Sequence, residues 1–177
     1  DGIRFLKEIT GEPTPPEKAT RDITYEEALR LVGPSRLEGM PGVDTSAEAR
    51  LWHARGQSLP DWLSLRQGIG LDFPDAVAFP ESEEDVRRLL TLAAERNAVV
   101  MIYGGGTSVV GHINRPKGDR AVLVLDLSRM NRLLHFDPVS RLARFQAGVA
   151  GPDVERQLAP HGMMLGHFPQ SYEYSTL

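Results

Sequence analysis

Residues able to do chemistry gather in two stretches. The first runs from Ala98 to Gly111 and reads AVVMIYGGGTSVVG. Five apolar residues and Tyr103 lead into Gly104, Gly105 and Gly106, and Thr107 and Ser108 follow with two hydroxyls. A β-branched, apolar run ended by glycine predicts a buried strand that delivers the triplet to a sharp loop at its C-terminal end. Glycine permits φ > 0 and the close approach of a ligand. Successive N–H groups in such a loop form an anion-binding nest. A diphosphate suits that chemistry, and a tight structural turn is the plainer alternative. Two phosphate motifs are excluded in strict form. Gly106 to Gly111 has P-loop spacing, but His112 and Ile113 stand where Lys and Ser/Thr belong. Val109 occupies the third glycine position of the dinucleotide fingerprint.

The second stretch is Gly166 to Leu177, GHFPQSYEYSTL. A serine, a histidine and an acid in one segment invite a catalytic triad, but no nucleophile elbow of the G-x-S-x-G kind is present. His167 and Glu173 lack a third ligand at metal-binding spacing. The segment reads as a polar loop able to wrap a ligand. No catalytic residue and no metal site is assigned. Elsewhere, His53 reads as a packing or hydrogen-bonding residue. Arg115, Lys117 and Arg120 form a basic loop, solvated or in contact with phosphate.

The elements that must position these stretches alternate β and α from Pro74 onward. Ala76 to Phe79 predicts a short strand. Ser82 caps a helix that runs to Asn97, with Val86, Leu89, Leu90 and Ala93 on one face and acids in its first turn. The glycine-loop strand follows, completing a β-α-β unit. Ala121 to Leu125, ended by Asp126, predicts another strand. Asn131 to Phe136 and Arg141 to Ala147 predict a hairpin around Asp137-Pro138-Val139-Ser140. Gly151-Pro152-Asp153 opens a helix with proline near its first position, ended by Gly162, and Met163 to Leu165 predicts a short strand. Ahead of Pro74 the pattern is helical. Asp1 to Ala19, with Pro13, Pro15 and Pro16, reads as an extended lead-in. Thr24 with Glu27 and Thr45 with Glu48 fit capping boxes. Ser58 caps a further helix whose apolar members are Trp62, Leu63 and Leu65.

Composition bounds the function. The chain has 177 residues, 41% hydrophobic and 25% charged, as expected of a soluble globular protein. A net charge of −4 speaks against general nucleic-acid affinity. There is no cysteine, hence no disulfide or thiolate chemistry. No apolar run reaches the roughly 18 residues of a membrane span.

Tyr103-Gly104-Gly105-Gly106-Thr107-Ser108 resembles the first flavin loop of the FAD-linked oxidase fold, the family of vanillyl-alcohol oxidase and p-cresol methylhydroxylase. Pro74 to Pro80, Val122 to Arg132 and Ala147 to Leu158 are similar to successive steps of its flavin domain. Gly166 to Thr176 resembles its second flavin loop. That loop, with Trp52 to Gly56 and the run LSLRQG from Leu63 to Gly68, is most similar to the alkyldihydroxyacetonephosphate synthase branch, although Gln170 replaces the usual Asp.

The resemblance implies an α+β fold: the first part of a PCMH-type FAD-binding domain over 74–177, with β-α-β units and a mixed sheet, behind a helical extension over 1–73. It implies noncovalent FAD. The diphosphate would lie on Gly104 to Ser108, beside Ile102 and Tyr103. Ser171, Ser175 and Thr176 would line the other side, Pro169 and Gln170 would approach the isoalloxazine or ribityl, and Tyr172, Glu173 and Tyr174 complete the loop. The implied activity is exchange of acyl for alkyl on a dihydroxyacetone phosphate through the flavin, without net redox change. Oxidation of a D-2-hydroxy acid is the alternative, as is an inactive portion of a longer polypeptide lacking its catalytic residues. A small-molecule substrate, no nucleic-acid partner, peripheral membrane association or a homodimer, and a cytoplasmic location complete the expectations.

Overall fold

The computed structural model describes residues 2–12 and 21–177. Among the described residues, four α-helices come first: α1 (Gly2–Thr10), α2 (Tyr25–Leu31), α3 (Ala47–Trp52) and α4 (Leu59–Gln67). Then follow β1 (Ala76–Ala78), α5 (Glu83–Glu95), β2 (Val99–Tyr103), β3 (Val122–Asp126), the hairpin β4 (Leu133–Asp137) and β5 (Leu142–Phe145), and α6 (Gly151–Leu158). The α+β class and the β-α-β unit stand as expected, with parallel and antiparallel pairing in two separate sheets.

The parallel sheet has the order β1-β3-β2. Its register sets Ala76 to Ala78 beside Leu123 to Leu125, and Val99 to Tyr103 beside Val122 to Asp126. β3 is flanked on both edges and buries all five of its residues. The near-continuous apolar run VLVLD is what a strand covered on both faces requires. α5 crosses between β1 and β2 and buries Leu89 and Ala93 in a core with Leu37, Met40, Leu123 and Leu125. Asp44 bridges Val77 through two backbone hydrogen bonds of 2.7 and 2.9 Å, closing the outer edge of β1. Asp75 fixes the same corner. Its carboxylate takes Arg36 at 2.5 Å and the Val122 amide at 2.8 Å.

β2 departs from the expected buried strand. It is the sheet edge, and Ile102 is 55% exposed. An apolar run shows that a strand forms but carries no information on strand order. Other corrections are local. Gly2 to Thr10 is helical rather than extended, supported by an Arg4–Glu8 pair four residues apart. Pro13, Pro15 and Pro16 lie outside the described residues. The cap of α3 is Ser46, one residue after Thr45, and its hydroxyl accepts from the Ala49 amide. Along α4 the apolar members Trp62 and Leu63 are exposed, while Asp61 is buried. α5 stops at Glu95, and Asn97 takes the left-handed conformation at φ 49°. Met163 to Leu165 is no strand. Met163 instead packs on the small second core of Val149, Val154 and Leu158, beneath Phe136 and Phe145.

Candidate functional site

β2 hands the chain to Gly104 at the C-terminal end of the parallel sheet, where open α/β sheets place their ligands. The segment Ser175–Thr176 arrives at the same place from the far end of the chain. Thr107 Oγ1 and Ser175 Oγ lie 3.3 Å apart. The start of α6 anchors the arriving segment. The Gly151 amide donates to the Ser175 carbonyl, Ala150 bridges Thr176, and the Leu177 amide donates to the Val149 carbonyl. A groove of about 590 Å³ lies between the two loops. It is lined by Ile102, Gly104 to Ser108, Ser175 and Thr176, and also by Val109, Val110, His112 and Ile113.

None of these lining residues carries a carboxylate, and Thr107, Ser108, Ser175 and Thr176 contribute four hydroxyls. Among the described residues, the backbone N–H groups of Gly105, Gly106, Thr107 and Ser108 donate to no protein atom. Unpaired N–H groups in a loop, hydroxyl donors and no competing anion fit a multiply charged oxyanion such as a diphosphate. The glycines have a second reason to be glycine. A Cβ on Gly105 would overlap the Tyr174 carbonyl, and one on Gly104 would overlap the Thr176 hydroxyl. Gly106 has φ 68° and sits against the Tyr103 hydroxyl. Close approach of the second loop therefore demands small residues alongside any ligand.

The other predicted site residues lie around this groove. Tyr103 points to the opposite side of β2, where its hydroxyl donates to the Trp52 carbonyl at 3.3 Å. Pro169 lines a neighbouring cavity of about 210 Å³ with His167, Ser175 and Thr176. The Ser171 carbonyl builds the turn, accepting from the Tyr174 and Ser175 amides. Tyr172 packs on Gly151 and, edge to face, on Phe168. Gln170, Glu173 and Tyr174 are exposed, and Tyr174 meets Gly105 through its backbone. Arg120, from the basic loop, is tied to the Asn97 and Ala98 carbonyls at 2.9 Å.

Sequence reasoning missed a buried pair behind the loop. His53 Nε2 lies 2.8 Å from Asp126 Oδ2, and His53 Nδ1 lies 2.7 Å from the Ala49 carbonyl. Burial alone would raise the Asp126 carboxyl, but hydrogen bonds from His53 and Ser128 hold it below its ordinary value. Burial, with the Asp126 charge nearby, raises the Tyr103 phenol. The available signal was an acid at the C-terminal end of a buried strand, next to the glycine loop. Its partner His53, 73 residues away, packs and hydrogen-bonds as its sequence context suggests, but nothing there names Asp126 as the other half.

Comparison with known proteins adds to this geometry. Residues 74–177 match the model of the FAD binding domain. The chain belongs to the FAD binding domain family. Alkyldihydroxyacetonephosphate synthase of Trypanosoma brucei brucei is 38% identical over all of this chain and 30% of its own length. That of Dictyostelium discoideum is 40% identical over 73% of this chain and 21% of its own length. A D-lactate dehydrogenase [cytochrome] of Saccharomyces cerevisiae is 34% identical over 54% of this chain and 16% of its own length. A solved alkyldihydroxyacetonephosphate synthase superposes with a TM-score of 0.73 at 33% identity, covering 99% of this chain and 35% of that one. The fold is thus the PCMH-type FAD-binding fold. The chain spans about a third of the length of such relatives.

Proposed function

We propose that the groove between Gly104–Ser108 and Ser175–Thr176 holds the diphosphate of a noncovalent FAD, in an enzyme of the alkyldihydroxyacetonephosphate synthase type. The observation that carries the reading is the convergence of two loops on one carboxylate-free groove rich in free N–H and hydroxyl donors. The Thr107 and Ser175 hydroxyls share one hydrogen bond, so the hydroxyl of that pair that accepts would donate to phosphate, as would those of Ser108 and Thr176, and the loop amides add donors that cost no reorganisation. Ile102, exposed at the mouth, offers an apolar wall to the rest of the cofactor. Ser108 Oγ lies 3.0 Å from Nδ1 of His112, the histidine among the lining residues. The flavin, when bound, supplies the bond-making and electron-transfer chemistry, while the protein supplies orientation and electrostatics.

Identity across the whole chain with the trypanosomal synthase supports acyl-for-alkyl exchange on a dihydroxyacetone phosphate over oxidation of a D-2-hydroxy acid. In this reading 74–177 is the cofactor-binding portion and 1–73 the helical extension, tied to it through Asp44 on Val77 and Arg36 on Asp75. The test is a pair of assays on the FAD-loaded full polypeptide that carries this chain. One supplies an acyl-dihydroxyacetone phosphate with a long-chain alcohol, the other D-lactate with an electron-accepting dye. Ether product without dye reduction is expected. Dye reduction alone would replace the synthase reading with the dehydrogenase one. Neither product from a flavin-loaded protein would overturn both.

A further inference from the structure

The segment from Trp52 to Gln57 lies outside the matched span of 74–177, yet it touches the glycine loop at both ends. At the entry, the His53 ring packs against the Tyr103 ring with centroids 4.5 Å apart and planes tilted by 58°, and the Tyr103 hydroxyl donates to the Trp52 carbonyl. His53 cannot drift, because one ring nitrogen faces Asp126 and the other the Ala49 carbonyl. Asp126 is itself fixed. It ends β3 directly beside Tyr103 in the register, and its other carboxylate oxygen accepts from the Ser128 amide at 2.8 Å. At the exit, the Gln57 amide donates to the Ser108 carbonyl at 2.6 Å. Gly56 lies under the same residue so closely that a Cβ there would overlap the Ser108 carbonyl oxygen and stand 3.2 Å from Ser108 Cβ. Between these two ties runs the glycine loop, whose N–H groups from Gly105 to Ser108 are the free donors of the groove.

We infer that Trp52–Gln57 is a clamp that sets the shape of the glycine loop, with His53 and Gly56 as positioning residues for the cofactor. The inference rests on the proposal that the groove holds FAD. A three-glycine loop has little intrinsic preference for one conformation. Free N–H groups form a nest only if their directions converge. The entry tie fixes Tyr103 through a buried His–Asp pair, and the exit tie fixes Ser108 through a backbone hydrogen bond. The short path between them then leaves the loop few ways to run. Binding gains from such order because the loop is arranged before the ligand arrives.

The experiment compares the unaltered protein with Gly56→Ala and His53→Ala. Leu37→Ala, a truncation in the sheet core, is the stability control. Two readouts are taken on each: hydrogen–deuterium exchange of the 104–108 amides without cofactor, and the FAD dissociation constant from flavin fluorescence. With the loop no longer arranged before the cofactor arrives, FAD affinity is expected to fall about fivefold to a hundredfold, which corresponds to about 1–3 kcal/mol. Exchange at 104–108 is expected to quicken in both clamp variants, at temperatures where both remain folded. Leu37→Ala is expected to lower the melting temperature while leaving loop exchange and FAD affinity near those of the unaltered protein. His53→Gln, which keeps a donor toward Asp126 without the ring face on Tyr103, is expected to fall between. Unchanged loop exchange in Gly56→Ala and His53→Ala would overturn the clamp whether or not FAD binds. Failure of the unaltered protein to bind FAD, with loop exchange still altered, would overturn the cofactor reading and leave the clamp standing.

Discussion

Replacing Gly105 by alanine tests how the two loops of the groove are joined. A methyl at Gly105 would overlap the Tyr174 carbonyl oxygen, lie 2.5 Å from its carbon and stand 3.2 Å from Tyr174 Cα. All three atoms are backbone, so no side-chain rotation relieves the clash. The 174–176 segment is held by the Ser171 turn and by the start of α6. Relief therefore means moving one loop from the other on the order of 1 Å, an overpacking cost of about 1–3 kcal/mol. In a domain of this size that lowers the melting temperature by about 3–10 °C. The groove should widen with the displacement, so FAD affinity should fall alongside. Gly33→Ala is the comparison, since Gly33 has no atom within 4 Å of an added Cβ and needs no left-handed backbone. It is expected to leave the melting temperature unchanged or slightly raised. Thermal denaturation followed by circular dichroism, with a flavin titration on the same samples, reads both effects. A Gly105→Ala protein that melts with Gly33→Ala and binds FAD as before would refute the loop-on-loop contact.

Acid should expose the buried carboxylates. Hydrogen bonds hold Asp75 and Asp126 below their ordinary values against the opposing effect of burial. A lowered folded-state value stabilises the fold above the unfolded value of about 3.9 and is lost as pH falls through the folded one. Stability should thus fall below about pH 4, and Asp75→Asn should flatten that limb in pH-dependent urea melts. Arg36→Ala removes the ionic partner of Asp75 while the Val122 amide remains. About 2 kcal/mol of destabilisation at pH 7 is expected, discounted for the exposure of Arg36, and a loss within error of zero would contradict the pairing. The capping box of α2 offers a smaller test. Thr24→Ala loses the hydroxyl that accepts from the Glu27 amide, leaving only the bond from the residue 24 backbone N–H to the Glu27 carboxylate, and should cost about 1 kcal/mol in chemical denaturation.

Local rules carried much of the fold. Thr24 and Ser58 cap their helices through side-chain oxygens with acids three residues on, and both capping boxes form. Proline at the second position of Asp137–Ser140 and the Gly151-Pro152 start of α6 were legible for the same reason, because each depends on a few adjacent residues. The failures are non-local. Nothing in AVVMIY distinguishes an edge strand from a central one, and only the order β1-β3-β2 leaves Ile102 exposed. Trp62 and Leu63 are apolar members of α4, but it is Asp61 that α4 buries, bonded to Ser58 and to Asn114 from another part of the chain. The groove was partly legible. Its glycines and hydroxyls stand out in sequence, whereas Val109, Val110 and Ile113 look like ordinary apolar residues until the loop is folded. The His53–Asp126 pair joins a helix end to a strand end and has no sequence period to reveal it.

The most direct test of the central claim is equilibrium uptake of FAD by the folded protein, read by visible absorption after gel filtration and again after acid denaturation. The expected result is a flavin spectrum that travels with the protein at one FAD per chain and separates from it completely on denaturation. A protein folded by circular dichroism that stays colourless after incubation with excess FAD would contradict the account, and a flavin that remains attached after denaturation would contradict its noncovalent form.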